Sequence, residues 1–108
     1  MSDKLRVAVV GAGNWGYQHA RAFDARDDIE LTAVFGRTEA RTARRAAQFG
    51  IRGYTDLNDM LKTEQPDFVS VCLPAQHTYE TTMKVLDAGI PLAFFYPIRL
   101  RNNKRYFI

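Results

Sequence analysis

The sequence has few of the residues that define several protein classes. Cys72 is the single cysteine among 108 residues, so no disulfide forms within the chain and a reducing cytoplasm is the expected location. One cysteine and two histidines are too few for a zinc site, and no metal site is predicted. No apolar run reaches the length of a signal peptide or of a membrane span, so no membrane partner is expected.

Acidic residues are missing after Asp87. The chain has 15 basic residues, and four of them, Arg99, Arg101, Lys104 and Arg105, lie among the last ten residues. Without these four, 11 bases face 12 acids, so the basic charge belongs to the terminus. Nucleic-acid binding needs a basic face on the folded part, and no nucleic-acid partner is expected.

A glycine-rich stretch over residues 5–19, LRVAVVGAGNWGYQH, is the most informative segment. A β-branched run ends in Gly11, Gly13 and Gly16, at G-x-G-x-x-G spacing, and a helix pattern follows. In a dinucleotide site these glycines allow a tight turn, close approach of a pyrophosphate and close helix packing, with the phosphate on the helix N-terminus. Ala12, Asn14 and Trp15 lie between them, and Trp15 either shields the pyrophosphate or covers the turn.

Strand and helix patterns alternate along the chain, which predicts an α/β fold with a doubly wound, mostly parallel sheet. We expect a small-residue face on the second helix (Ala40, Ala43, Ala46 and Ala47) and an apolar face on the fourth (Tyr79, Met83 and Leu86). Residues 1–97 are predicted to form one Rossmann-like domain, and residues 98–108 a basic, divergent tail. The predicted strands are Leu5–Val10, Glu30–Phe35, Ile51–Tyr54, Asp67–Leu73 and Ile90–Tyr96; the helices are Asn14–Ala25, Glu39–Phe49, Asp56–Lys62 and Thr78–Ala88.

The end of the second strand favours NADP over NAD. An acidic residue there would bind the ribose 2′-hydroxyl of NAD, but the position about 20 residues beyond the glycines is Gly36. Arg37 and Arg41 suit a 2′-phosphate, and Thr38 can donate to it or cap the next helix. The alternative is that Arg37 stacks on adenine or faces solvent.

The end of the fourth strand lies on the same edge of the predicted sheet. Leu73 and Pro74 would pass beside a ribose of the cofactor. His77 either donates to the cofactor or substrate, or caps the following helix. His19 is interpreted as a packing or helix-positioning residue, and Cys72 as a buried filler.

Together these segments resemble the N-terminal half of the Gfo/Idh/MocA oxidoreductases. The resemblance runs from Arg6 to Pro97 and rests on VAVVGAGNWGYQH, LTAVFGRTEAR, GIRGYTDLNDML and DFVSVCLPAQHTYETTMKVLDAGIP. It implies a Rossmann domain that binds NAD(P) through Gly11, Gly13 and Gly16. It also implies hydride transfer to or from a sugar, cyclitol or related polyol.

Two departures from the family pattern shape the functional expectation. The family's fifth strand ends in Glu-Lys-Pro, whose lysine assists proton transfer; here Phe95-Tyr96-Pro97 stands instead, and Tyr96 occupies the lysine position. The family's larger substrate domain does not follow within this sequence. We therefore expect cofactor binding without independent catalysis, leave open whether the chain is an enzyme, and expect a homodimer through an open sheet edge. The alternative is a non-catalytic nucleotide-binding sensor or regulatory module.

Overall fold

The computed structural model describes residues 4–94, 97–99 and 105–107. Strands and helices alternate in the order expected from the sequence, and a two-stranded antiparallel sheet of β6 and β7 follows. The elements are β1 Leu5–Val10, α1 Asn14–Asp24, β2 Ile29–Phe35, α2 Glu39–Phe49, β3 Arg52–Tyr54, α3 Leu57–Glu64, β4 Phe68–Val71, α4 Ala75–Asp87, β5 Leu92–Phe94, β6 Pro97–Arg99 and β7 Arg105–Phe107.

The main sheet has five strands in the order β3-β2-β1-β4-β5, and every pair is parallel. This confirms the predicted Rossmann-like fold. The chain passes from β1 to one side for β2 and β3, and to the other side for β4 and β5. The order therefore reverses beside β1, and ligands of such sheets bind outside the carboxyl ends of the strands at this point.

The core lies on both faces of the sheet. On one face Val10 packs with Met60 of α3 and Val85 of α4, all fully buried. On the other, Val9 packs with Ala20 of α1. Because successive strand residues point to opposite faces, the run of valines in β1 supplies both halves of the core. This explains why the strand has an apolar run rather than an alternating pattern.

The predicted faces of two helices are wrong. In α2 only Ala46 of the four alanines is buried, and its buried neighbour one turn earlier is Thr42. In α4 the predicted apolar face, Tyr79, Met83 and Leu86, is exposed. The helix instead buries Thr78, Thr81 and Val85.

Threonine can replace an apolar residue in α4 because its hydroxyl finds a partner within the helix. Thr78 Oγ1 donates to the Pro74 carbonyl at 3.0 Å, and Thr81 Oγ1 donates to the His77 carbonyl at 3.2 Å. Each buried hydroxyl is therefore satisfied, and the methyl group can face the sheet.

Helix α4 also begins earlier than predicted, at Ala75 rather than Thr78. Pro74 occupies its N-cap position, and the His77 amide donates to the Pro74 carbonyl at 2.9 Å. Proline is compatible with a helix start because no amide hydrogen is needed there. His77 consequently lies in the first turn of α4 and does not cap it.

Candidate functional site

The glycine turn after β1 has the backbone geometry that its sequence predicts. Gly11 has φ +132°, and a Cβ there would overlap the Cys72 carbonyl. The Gly11 amide donates to the Phe35 carbonyl at 2.8 Å, which ties the turn to the end of β2. A Cβ on Gly16 would overlap the Gly11 carbonyl, so α1 packs directly against the turn. A Cβ on Gly13 would contact nothing within 4 Å.

A cavity of about 750 Å³ lies over the carboxyl ends of β1, β2 and β4. It brings together every predicted cofactor-binding residue except Gly16, which lies beneath the turn, and it adds Cys72. The fold thus joins three segments that are far apart in the sequence. The lining residues are Gly11, Ala12, Gly13, Asn14, Trp15, Gly36, Arg37, Thr38, Arg41, Cys72, Leu73, Pro74 and His77.

The cavity lining carries positive charge and no carboxylate. Arg37 and Arg41 both line it, and neither belongs to an ion pair in the described part of the chain. Helices α1, α2 and α4 begin at its border, with Gly13, Thr38 and Pro74 at their N-cap positions, and none of these has a side-chain cap hydrogen bond. The amino ends of helices and guanidinium groups together favour an anion.

Gly36 is tightly packed at the end of β2. A Cβ there would overlap Thr42 Oγ1 and the Ala12 Cβ. The glycine is therefore required by contact between α2 and the glycine turn.

Arg37 and His77 meet across the cavity mouth, where Arg37 Nη1 lies 2.5 Å from His77 Nε2. An arginine can only donate, so His77 accepts through Nε2 and its ring proton resides on Nδ1. The contact joins the segment after β2 to the first turn of α4. The contact restrains both side chains where they line the cavity.

Trp15 and His19 form a pair on α1. Trp15 Nε1 donates to His19 Nε2 at 3.0 Å, which again requires the neutral imidazole. Burial lowers the pKa of His19 below its usual 6.5, so the neutral form is favoured at neutral pH. His19 thus orients Trp15, and Trp15 lines the cavity.

Cys72 lines the cavity but is not arranged as a nucleophile. Burial raises the pKa of its thiol to about 11, against a weaker opposing effect of the Ser70 hydroxyl 3.5 Å away. The thiolate is therefore scarce at neutral pH.

The described residues contain no group of three histidine, cysteine or acidic residues that could hold a metal ion.

Arg45 contacts the turn and was not found by sequence reasoning. Its Nε donates to the Ala12 carbonyl at 3.1 Å, although the two residues are 33 positions apart. The helix register could have pointed to it, because Arg41 and Arg45 are separated by one turn of α2 and lie on similar faces. Tyr96 and Phe95, at the family's lysine and glutamate positions, lie outside the described residues.

The fold and the cavity define a dinucleotide-binding domain of the Rossmann type. The family model described as "Oxidoreductase family, NAD-binding Rossmann fold" matches residues 5–105. The chain belongs to this Gfo/Idh/MocA family.

The curated relatives are longer than this chain. It is 38% identical over 90 residues to D-glucoside 3-dehydrogenase of Escherichia coli K12, a match that covers 82% of this chain and 26% of the relative. It is also 24% identical over 107 residues to the redox-sensing transcriptional repressor Rex of Brevibacillus brevis, covering 96% of this chain and 51% of the repressor. The chain thus spans about a quarter of the dehydrogenase.

Solved structures show the same fold. GenD2 from gentamicin A biosynthesis, in complex with NAD, superimposes with a TM-score of 0.81 at 33% identity and covers 87% of this chain and 27% of its own. Biliverdin reductase from Synechocystis, in complex with biliverdin and NADP⁺, gives a TM-score of 0.77 at 27% identity, covering 86% and 29%. Structures with the same fold therefore carry either nicotinamide dinucleotide.

Proposed function

We propose that the chain binds a nicotinamide dinucleotide in the carboxyl-end cavity with a preference for NADP. It would serve as the cofactor-binding part of an oxidoreductase that transfers hydride to or from a sugar or polyol. The observation that supports this most strongly is the charge of the lining: Arg37 and Arg41 lie beside Thr38 with no carboxylate in the cavity. A carboxylate at this place would repel a 2′-phosphate.

Each part of the cavity suits one part of the dinucleotide. The pyrophosphate would lie on the first amides of α1, where Gly13 leaves the backbone open to close approach. The 2′-phosphate of NADP would lie between Arg37, Arg41 and the hydroxyl of Thr38. Arginine suits this role because its planar guanidinium can donate two parallel hydrogen bonds to a phosphate.

Calorimetric titration of the 108-residue chain with NADPH and NADH tests this proposal. Replacing Arg37 by Ala should weaken NADPH binding by about tenfold or more, the value of a charge-assisted hydrogen bond, and change NADH binding little. Arg44→Ala is the matched control because Arg44 is exposed on α2 and does not line the cavity. Equal losses for both dinucleotides would refute the 2′-phosphate assignment, and no heat with either would refute the binding proposal.

The substrate class rests on the relatives. One of them is named a glucoside dehydrogenase, and the chain spans only about a quarter of its length. Hydride exchange between NADPH and a panel of ketosugars and oxidised polyols tests whether the chain has activity by itself. Turnover would identify an active enzyme, whereas binding without turnover supports a cofactor-binding part only.

A nucleotide-binding sensor is the second candidate. The redox-sensing repressor Rex is similar over 96% of this chain. A sensor must distinguish the reduced from the oxidised dinucleotide, because a ligand shifts an equilibrium only through differential affinity. Equal affinity of the chain for both redox forms would argue against this candidate, and a difference of tenfold or more would favour it.

We also propose a homodimer and a cytoplasmic location. Strand β5 lies at one edge of the described main sheet, and the adjacent α4 exposes Tyr79, Met83 and Leu86. An open edge beside an apolar face favours pairing with a second copy. Sedimentation should show a dimer that Leu86→Glu disrupts, while Leu5→Glu, at another exposed leucine, in β1, leaves it intact. A monomer at all concentrations would contradict it.

The cytoplasmic proposal rests on the single thiol of Cys72, which needs no oxidising compartment. Separately, none of the helices in the described part of the chain is long and apolar enough to cross a membrane. Fractionation of cells that express the protein tests the location.

A further inference from the structure

We propose that Arg45 is a positioning residue of the dinucleotide site, which acts by fixing the peptide that joins Ala12 to Gly13. Its Nε donates to the Ala12 carbonyl at 3.1 Å, from the middle of α2 to the turn after β1. This inference rests on the proposed function, because the turn is where the pyrophosphate would bind.

The guanidinium of Arg45 is itself held from two further directions. Its Nη1 donates to Gln48 Oε1 at 2.6 Å. Its central carbon lies 4.6 Å from the centre of the Tyr17 ring, within the range of a cation–π interaction. The side chain is therefore fixed before any ligand arrives, and it can impose an orientation on the Ala12 carbonyl.

The Ala12–Gly13 peptide needs such a restraint. Gly13 is free of the steric limits that a Cβ imposes on φ and ψ, and a Cβ there would meet nothing within 4 Å. Packing around Gly13 therefore does not fix the peptide. Because the peptide is planar and its carbonyl and amide point in opposite directions, a bond to the Ala12 carbonyl also sets the direction of the Gly13 amide.

The pyrophosphate is common to NADH and NADPH, so Arg45 should affect both equally. Arg37, by contrast, should affect NADPH alone. Arg45→Met should weaken both dinucleotides by the same factor, about fivefold to tenfold. This is less than the value of a hydrogen bond from a charged donor, because Arg45 acts through the peptide and does not touch the ligand. Arg45→Lys keeps the charge and one donor, and should recover part of the loss.

Arg44→Met is the matched control for charge. Arg44 neighbours Arg45 on α2 but is exposed and does not line the cavity. It should leave both affinities within about twofold, because exposed charges are screened by solvent and salt. Equal effects of Arg44→Met and Arg45→Met would show that net charge alone matters, and would overturn the proposal.

A measurement without ligand separates this proposal from the cofactor assignment. In nitrogen-15 NMR spectra of the free chain, Arg45→Met should shift the Gly13 amide resonance and speed its hydrogen exchange, whereas Arg44→Met should do neither. An unchanged Gly13 amide in a folded Arg45→Met or Arg45→Ala chain would overturn the positioning role. Failure of the native chain to bind either dinucleotide would instead overturn the proposed function and leave the NMR result to decide the role of Arg45.

Discussion

The two ends of the main sheet use arginine in opposite ways. At the amino end, Arg6 lies 2.7 Å from Glu30 and 3.6 Å from the buried carboxylate of Glu64, and Arg52 lies 3.1 Å from Glu64. Tyr54, the last residue of β3, reaches the same carboxylate from the other end of its strand with a 2.5 Å hydrogen bond. The charges there are neutralised within the protein.

At the carboxyl end, Arg37 and Arg41 form no ion pair with any carboxylate among the described residues. Within the carboxyl end, the helix starts at the cavity differ from the one outside it. The three helices that begin at the cavity have no side-chain cap, whereas α3, which begins outside it, is capped by Asp56 through a 3.0 Å bond from the Asp59 amide. One end of the sheet is therefore complete in itself, and the other leaves donors for an anion from outside.

The largest expected effect comes from breaking the amino-end network. Arg6→Met leaves the Glu64 carboxylate, 2% exposed, with fewer partners. We expect a loss of about 2–3 kcal/mol in the free energy of unfolding, somewhat below the value for a fully buried pair because Arg52 remains. Urea denaturation measures it. Affinity for NADPH should not change.

The control for Arg6 is an ion pair on the surface. Arg26 and Asp28 are 2.8 Å apart with side chains more than half exposed, and such pairs contribute little. Arg26→Met should leave the denaturation midpoint where it is. Equal effects of Arg6→Met and Arg26→Met would contradict the importance of burial at Glu64.

The second prediction concerns the glycines of the cavity. Gly36→Ala should destabilise the fold by about 1–3 kcal/mol, because its Cβ would overlap Thr42 Oγ1 and Ala12 Cβ. Gly13→Ala should change stability little but weaken both dinucleotides, because its Cβ meets only the cavity. Thermal unfolding and calorimetry separate the two effects. An unaltered melting temperature of Gly36→Ala would contradict the packing argument.

The third prediction is a loss of stability at alkaline pH. Burial, together with the hydrogen bond to Glu64, raises the pKa of Tyr54 above its usual 10.0. The stability that protonated Tyr54 contributes is fully present below pH 10. It is lost as the pH rises through the folded-state pKa of Tyr54, because the unfolded chain releases the proton at a lower pH. Unfolding free energy should therefore fall above pH 10, and the fall should be smaller in Tyr54→Phe. Parallel curves for the two proteins would contradict this.

Local patterns in the sequence were enough to predict the fold. Backbone sterics fix the local geometry at three places that the sequence marks. These are the β-branched run of β1, the spaced glycines of the turn, and Gly50 after α2, which has φ +64°. Element order and parallel pairing follow from the alternation of strands and helices. The residues of the cavity were also predictable, because all strands of a parallel sheet end at one edge.

Side-chain contacts between distant segments could not be predicted. The bond of Arg45 to Ala12 and the contact of Arg37 with His77 depend on how α2 and α4 lie on the sheet. The prediction of the buried face of α4 was wrong because the periodicity argument treats threonine as polar. Its hydroxyl can instead form a hydrogen bond within the helix. The start of α4 was predicted too late, although Pro74 is a residue suited to the start of a helix.

The smallest expected effect compares two N-caps. Asp56→Ala removes a cap hydrogen bond and should cost about 1 kcal/mol of stability. Thr38 occupies the N-cap of α2, but its side chain makes no cap bond, and Thr42 bonds to its backbone carbonyl instead. Thr38→Ala should therefore leave the melting temperature nearly unchanged.

Thr38→Ala should nevertheless weaken NADPH about threefold to tenfold, the range for one neutral hydrogen bond, and spare NADH. Thr38 lines the cavity beside Arg37, where the 2′-phosphate is proposed to bind. A stability loss as large as that of Asp56→Ala, with no change in NADPH affinity, would show that Thr38 serves the helix and not the ligand. In that case the end of β2 would be complete in itself, like the amino end of the sheet.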